Sequence, residues 1–326
     1  MTTAFKSIAA VTALTLLALL SSCGGKKSSS MQPAPLAKVA CDESFENIME
    51  QEINVYEYIY PKEDVVAYYL PESACIDSIM AMGSVKSAVV ARPLTEKEVS
   101  YLRSHKKLVH QQRIAVDALA IIVNPANPVE ILSRKEIAEI LAGEVTRWDQ
   151  VEPCKLGDIS VIFDHQGSST VKYMRDSIMN GKPFGPNVSA VKTNPDVFKA
   201  VAENKNAMGV IGVSWVSSDM KGREKSVEEL AQAVEKSDTT MLDFNQDVKV
   251  LKIRGNDVVQ AYKPYQAYIF DGSYPLFRSV WMISTAPGGT TTHRFYSFVT
   301  GFQGQKLIQM TGILPATLRP RMVAVE

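Results

Sequence analysis

The chain has 326 residues, 46% of them hydrophobic, which is enough to bury one large core or two lobes. Its 35 basic and 35 acidic residues cancel and are mixed along the chain, which removes the electrostatic case for a nucleic-acid partner, so any bound anion has to be held locally. Four scattered histidines (His105, His110, His165, His293) and the sparse cysteines Cys23, Cys41, Cys75 and Cys154 show neither metal-ligand spacing nor a disulfide framework; no metal or cofactor is expected.

In chain order, residues 1–22 read as an export signal: Lys6, an apolar stretch from Ile8 to Leu20, then Leu20-Ser21-Ser22-Cys23. That stretch is short for a membrane span. Leu-Ser-Ser-Cys resembles the lipobox of bacterial lipoproteins, which makes Cys23 the expected lipidation site and the new N-terminus. An ordinary secretory signal with a chance cysteine is the alternative. Residues 23–35, with Gly, Lys and Ser clustered, read as a flexible tether.

Helical and strand signals alternate from there. Phe45, Ile48, Met49, Ile53 and Tyr56 share a helical face, and Val65 to Leu70 reads as a strand. Ile76, Ile79 and Met80 form another helical set, followed by strand-like Ser87 to Val90. Thr95-x-x-Glu98 and Ser133-x-x-Glu136 are capping boxes that open helices. Leu119 to Val123 is an apolar strand run stopped by Asn124-Pro125, and Asn194-Pro195 caps a helix to about Asn204. "AMGVIGVSWV" then reads as a buried strand, Ser226-x-x-Glu229 as a helix start, and Val248 to Ile253 as a last strand. Short apolar strands separated by helices predict an α/β protein with parallel sheets covered on both faces.

The segments "ARPLTEKE", "DALAIIVNPANPVEILSRKEIAEILAGEVTRWDQV", "GSST", "NKNAMGVIGVSWV", "YPLFRSVWMIS" and "GQKLIQMTGILP" occur in the order seen in the PstS family, the periplasmic phosphate-binding proteins of ABC importers. The chain resembles that family over residues 40–318, with its nearest likeness to a divergent lipoprotein branch in Bacteroidetes-like bacteria. The resemblance implies a type II periplasmic binding protein fold: two α/β lobes joined by two hinge strands, with a ligand cleft between them. Lobe 1 is then expected in residues 36–117 and 265–326, and lobe 2 in residues 118–264.

The family's anion loop, Arg-x-x-Gly-Ser-Gly-Thr, falls here on Asp164, Gly167, Ser168, Ser169 and Thr170. A helix opening near Ser169 presents unpaired N–H groups and the positive end of its dipole, and the hydroxyls add donors. A plain N-cap at Ser168 or Ser169 is the bland alternative. Asp164 stands where the family has its arginine, so the loop has lost a cation and gained a charge that repels an oxyanion unless a proton lies between them. The family's proton-accepting aspartate falls on Ala91, beside Arg92. These departures suggest an exchange, with Arg92 as the bidentate cation and Asp164 as the proton acceptor.

Ser44, before Phe45, matches the family's first loop and offers an amide and a hydroxyl at a helix start, although Asp42 and Glu43 beside it would repel an anion. Asp117 lies where the chain crosses between lobes, a hinge position. The tyrosines Tyr262, Tyr265, Tyr268 and Tyr274 fit core packing better than sugar stacking, and His165 is taken as incidental.

No nucleophile has a partner base, and Ser168 lacks a G-x-S-x-G elbow, so no enzymatic activity is expected. The resemblance implies a lipid-anchored, periplasm-facing, monomeric solute-binding protein that delivers phosphate or a similar oxyanion to an ABC transporter permease. A binding protein for a different ligand and a surface interaction protein on the same fold remain alternatives.

Overall fold

The computed structural model describes residues 35–216, 227–236, 244–256 and 258–318. Cys23, the expected export signal and nearly all of the expected tether lie outside the described residues, as does Ser226.

β1 (Leu36–Asp42) ends in a 3-10 turn, Glu43–Phe45, that leads into α1 (Glu46–Ile59). β2 (Asp64–Leu70), α2 (Glu72–Met80), β3 (Ser87–Val90) and α3 (Glu96–Ser104) complete a first alternating run. Then come β4 (His110–Val123), β5 (Ile131–Ser133), α4 (Arg134–Ala142), β6 (Ser160–Phe163) and α5 (Ser169–Tyr173), which continues as a π turn, Met174–Ile178. They are followed by β7 (Val188–Ala190), α6 (Asn194–Glu203), β8 (Ala207–Gly212), α7 (Val213–Val216) and α8 (Val227–Lys236). The last described stretch holds β9 (Lys249–Val250), β10 (Lys252–Arg254), α9 (Gln266–Phe270), β11 (Phe277–Ser284), α10 (Thr291–Thr300), α11 (Phe302–Met310) and β12 (Leu314–Pro315).

Local signals account for many of these boundaries. Both capping boxes form, with the Thr95 and Ser133 hydroxyls accepting the N–H of Glu98 and Glu136. α4 stops at Gly143, whose φ of 74° is the left-handed conformation that a helix C-terminus favours. All five apolar residues expected on the face of α1 are buried, counting Phe45 in the turn that leads into it. The burial of each is worth about 1.5–3 kcal/mol. For α6 the cap is Thr193 rather than Asn194, because the Thr193 hydroxyl reaches the Asp196 N–H and Pro195 occupies the first turn.

Three expected strands are corrected. Leu119 to Val123 is only the end of β4, which begins at His110. "AMGVIGVSWV" leaves the sheet after Gly212 and turns helical, since an apolar run by itself does not separate strand from buried helix. The segment near Val248 divides into β9, paired with β4, and β10, paired with β5.

The strands lie in the order β2-β1-β3-β11-β4-β8-β6-β7, with β9 and β12 also paired to β4. β1 is parallel to β2 and β3, and β6 is parallel to β7 and β8. β11 is antiparallel to β3 and β4, and β4 is antiparallel to β8. The sheet is therefore mixed and not purely parallel: two parallel groups flank the antiparallel strands β4 and β11. β4 changes partner along its length, pairing with β11 as far as Ala118 and with β8 from Leu119 onward. Helices cover this curled sheet, and the result is a mixed α/β fold. No helix among the described residues is long and apolar enough to cross a membrane.

Candidate functional site

Three places in the fold bring polar side chains together: the turn after β1, the loop from β6 into α5, and the middle of β4 and β11. All of the residues involved are buried. Buried hydroxyls and charges persist only when paired, so their partners define the site.

The β6–α5 loop supplies the helix start expected from its sequence. Ser168 caps α5, its hydroxyl accepting the Val171 N–H at 3.2 Å, and it donates to Asp164 Oδ1 at 2.7 Å. The bland reading of Ser168 as a cap is thus correct, and its hydroxyl also holds Asp164. From the turn after β1, Ser44 Oγ donates to Asp164 Oδ2 at 3.5 Å and shares a hydrogen bond of 3.4 Å with Thr170 Oγ1. Ser169 Oγ donates to Ser44 Oγ at 3.4 Å. The structure therefore brings Ser44, Asp164, Ser168, Ser169 and Thr170 into one group, across 120 positions of sequence between Ser44 and Asp164. The Ser44 amide is used differently from expectation, since its N–H goes to Asp42 Oδ1 at 2.9 Å. The Trp215 indole N–H of α7 secures the same turn by donating to the Ser44 carbonyl at 3.1 Å.

Arg92 is not part of this group. It stands in the turn after β3 with its guanidinium donating to both carboxylate oxygens of Glu98 at 2.8 Å, and its side chain is 32% exposed. Glu98, the carboxylate partner of Thr95 in the α3 capping box, thus already occupies the fork that the exchange of roles assigned to an oxyanion. His165 also lies outside, 3.9 Å from Glu43 and part-exposed.

The cation in the group is Arg278, on β11, which the sequence reading missed. Its Nη1 donates to Ser169 Oγ at 2.6 Å, while Nε and Nη2 donate to Asp117 Oδ2 at 3.1 and 3.0 Å. The guanidinium lies 4.8 Å from the centre of the Phe45 ring. Arg278 and Asp117 are direct cross-strand partners in the β11–β4 ladder. A signal for them existed: Arg278 shares strand parity with Leu276, Val280 and Met282, all buried, so it had to face the core and find a carboxylate. Gly212 leaves that carboxylate room, since a Cβ there would come within 3.1 Å of Asp117 Oδ2.

The electrostatics follow from burial. Desolvation pushes the Asp117 carboxyl up from its ordinary range and Arg278 pulls it back. Desolvation likewise pushes the Asp42 carboxyl up to about 6, again opposed by Arg278. A second link runs beside the group: Lys172 of α5 pairs with Glu72 of α2 at 3.1 Å, and Glu72 also accepts the Ala91 N–H. Among the described residues, no cluster of His, Cys, Asp and Glu is placed to hold a metal ion. Chemically, the arrangement offers one fixed guanidinium, four hydroxyls and a helix start, facing several carboxyls.

Comparison with known proteins places this geometry in context. A family model described as the PBP superfamily domain matches residues 28–302. The chain is 20% identical to the phosphate-binding protein PstS of Pseudomonas aeruginosa over 307 residues, 89% of this chain and 86% of that one. It is 26% identical to protein SphX of Synechococcus elongatus over 150 residues, 44% of each chain. Among solved structures, it resembles a putative phosphate ABC transporter substrate-binding protein with bound phosphate from Clostridium perfringens, with a TM-score of 0.67 and 19% identity over 86% of this chain and 100% of that one. An ABC-type phosphate transport receptor from Vibrio cholerae gives a TM-score of 0.60 and 23% identity over 85% and 99%. The likeness to PstS-type proteins expected from the ordered motifs is borne out, as is the α/β fold.

Proposed function

The chain belongs to the PBP superfamily, and on that premise we propose that it is an extracytoplasmic solute-binding protein that captures inorganic phosphate or a related oxyanion. The observation that carries the reading is the convergence of Ser44, Ser168, Ser169 and Thr170 on a helix start, with Arg278 donating into the same hydroxyl group. A dehydrated oxyanion needs donors from several directions, and this group supplies them without a large positive field. Arg278 takes the role that the lost loop arginine left open, with Asp117 orienting it.

In this reading, residues 36–117 with 265–326 and residues 118–264 are two lobes, and the chain passes between them within β4 and again near residue 265. Ligand bridging Ser44 on one side and Ser168–Thr170 on the other favours the closed state by its greater affinity for it. The protein works by binding alone, as a monomer anchored through Cys23 and facing the periplasm, and it delivers its ligand to an ABC permease.

Calorimetric titration of the purified protein, after unfolding and refolding to strip bound ligand, tests the proposal with phosphate, sulfate and molybdate. Saturable phosphate binding that is lost in Thr170→Ala and Ser169→Ala variants is the expected result. Failure to bind any of the three anions overturns it.

One observation favours a second reading. Asp42, Asp117 and Asp164 are all buried around a single arginine. A ligand less negative than phosphate, held on the same fold, answers that charge balance, and it is the reading left standing if the titration fails.

A further inference from the structure

The turn between β1 and α1 holds a carboxyl that the oxyanion reading leaves unused. Asp42 is fully buried; its Oδ1 accepts the Ser44 N–H, and its Oδ2 has no hydrogen bond of ordinary geometry. A bare buried carboxylate oxygen is costly and calls for a donor. Ser169 lies near enough to favour the ionised form of Asp42 but directs its own hydroxyl to Ser44. Ser44 in turn sits between two carboxyls, giving its N–H to Asp42 and its hydroxyl to Asp164.

Charge sharpens the point. Arg278 is the guanidinium of this group, and two of its nitrogens are already committed to Asp117. An oxyanion that enters adds negative charge against Asp42 and Asp164, and only hydrogens shared between anion and carboxyls make the contacts favourable. One shared hydrogen satisfies one carboxylate and leaves the other facing a like charge.

We propose that Asp42 is a second specificity-determining carboxylate, paired with Asp164, and that the site takes a tetrahedral oxyanion in its doubly protonated, singly charged form, with one ligand hydroxyl donating to each carboxylate. This rests on the oxyanion reading above. The groups that bear on Asp42 come from several elements. Arg278 on β11 is its cation, and Glu72 and Cys75 on α2 and the neighbouring Cys41 interact with it electrostatically. Asp117 on β4 reaches it through Arg278, and Asp164 through Ser44, while Lys172 is engaged by Glu72. With its carboxyl at about 6, Asp42 is ionised at neutral pH and accepts rather than donates.

The consequence is a proton balance. Above the second ionisation of free phosphate the dissolved anion carries one hydrogen, so a two-hydrogen complex takes up about one proton per ligand and affinity falls about tenfold per pH unit. A site with one acceptor takes up none in that range.

The test is calorimetry of the full chain with inorganic phosphate at about pH 8, in two buffers of different ionisation heat, for the parent, Asp42→Asn and Asp164→Asn. Asparagine caps a helix start as well as aspartate, so the turn at Ser44 survives the substitution. The expected result is uptake of about one proton per phosphate in the parent, and its loss in Asp42→Asn. Phosphate binding without uptake, or uptake unchanged in Asp42→Asn, overturns this inference alone. No binding of phosphate at any pH overturns the oxyanion reading and this inference together.

Discussion

Arg92 and Arg278 each follow a short apolar segment, and their surroundings are opposite. Arg92 sits in a turn, part-exposed, against a glutamate six residues away that also closes a capping box. Arg278 sits inside a strand ladder with its side chain 3% exposed, against an aspartate 161 residues away and a serine 109 residues away. The first pair is a local, solvated arrangement that any helix start tolerates. The second is a buried commitment whose loss leaves charges stranded. Sequence neighbourhood made the first arginine look functional, and strand register places the second one, buried, beside the hydroxyl group.

The largest effect expected from breaking that contrast is at Arg278. Arg278→Ala strands Asp117 in the interior and is expected to cost about 3–5 kcal/mol of stability in urea unfolding, with oxyanion binding abolished. The double variant Arg278→Met with Asp117→Leu recovers most of the stability but none of the binding, which separates folding from ligand contact.

Next comes Asp164, the acceptor for Ser168 and Ser44. Asp164→Ala leaves the Ser168 hydroxyl without its carboxylate and is expected to cost about 1–3 kcal/mol. It also shifts the preference among phosphate, sulfate and molybdate in competition titrations. Unchanged selectivity would remove Asp164 from the ligand site.

A smaller effect is expected from the pH dependence of Asp42. Its folded-state value of about 6 lies above the ordinary 3.8, so the folded protein holds this proton more tightly than the unfolded chain does. Its contribution is therefore fully favourable below the ordinary value, and stability declines as pH rises through about 6. Denaturation midpoints measured across that window flatten in Asp42→Asn.

The smallest effect is at Arg92. Arg92→Ala is expected to cost no more than about 1 kcal/mol and to leave anion affinity unchanged. Arg92 holds Glu98 down to about 2, so what the pair contributes is present above the ordinary glutamate value and disappears as pH falls through about 2. A marked loss of affinity in this variant would return Arg92 to the ligand site.

The sequence by itself determined the features whose causes lie within a few residues. The caps at Thr95, Ser133 and Ser168 follow from hydroxyls that reach an N–H three positions on. The buried face of α1 follows from its apolar spacing. The hydroxyl set Ser168 to Thr170 was legible because adjacent residues carry that loop's chemistry, whereas Ser44, 126 positions before Thr170, was named only through the family resemblance. The fate of "AMGVIGVSWV" was not, because an apolar run satisfies strand and helix equally until its neighbours are placed. Which carboxylate meets which cation was decided only by tertiary structure. Arg278 faces Asp117 because β11 and β4 are in antiparallel register, and it reaches Ser169 because the loop after β6 comes to the same place. Coulombic and hydrogen-bond partners depend on distance in space, and once a chain is folded into paired strands that distance has no relation to separation along the sequence.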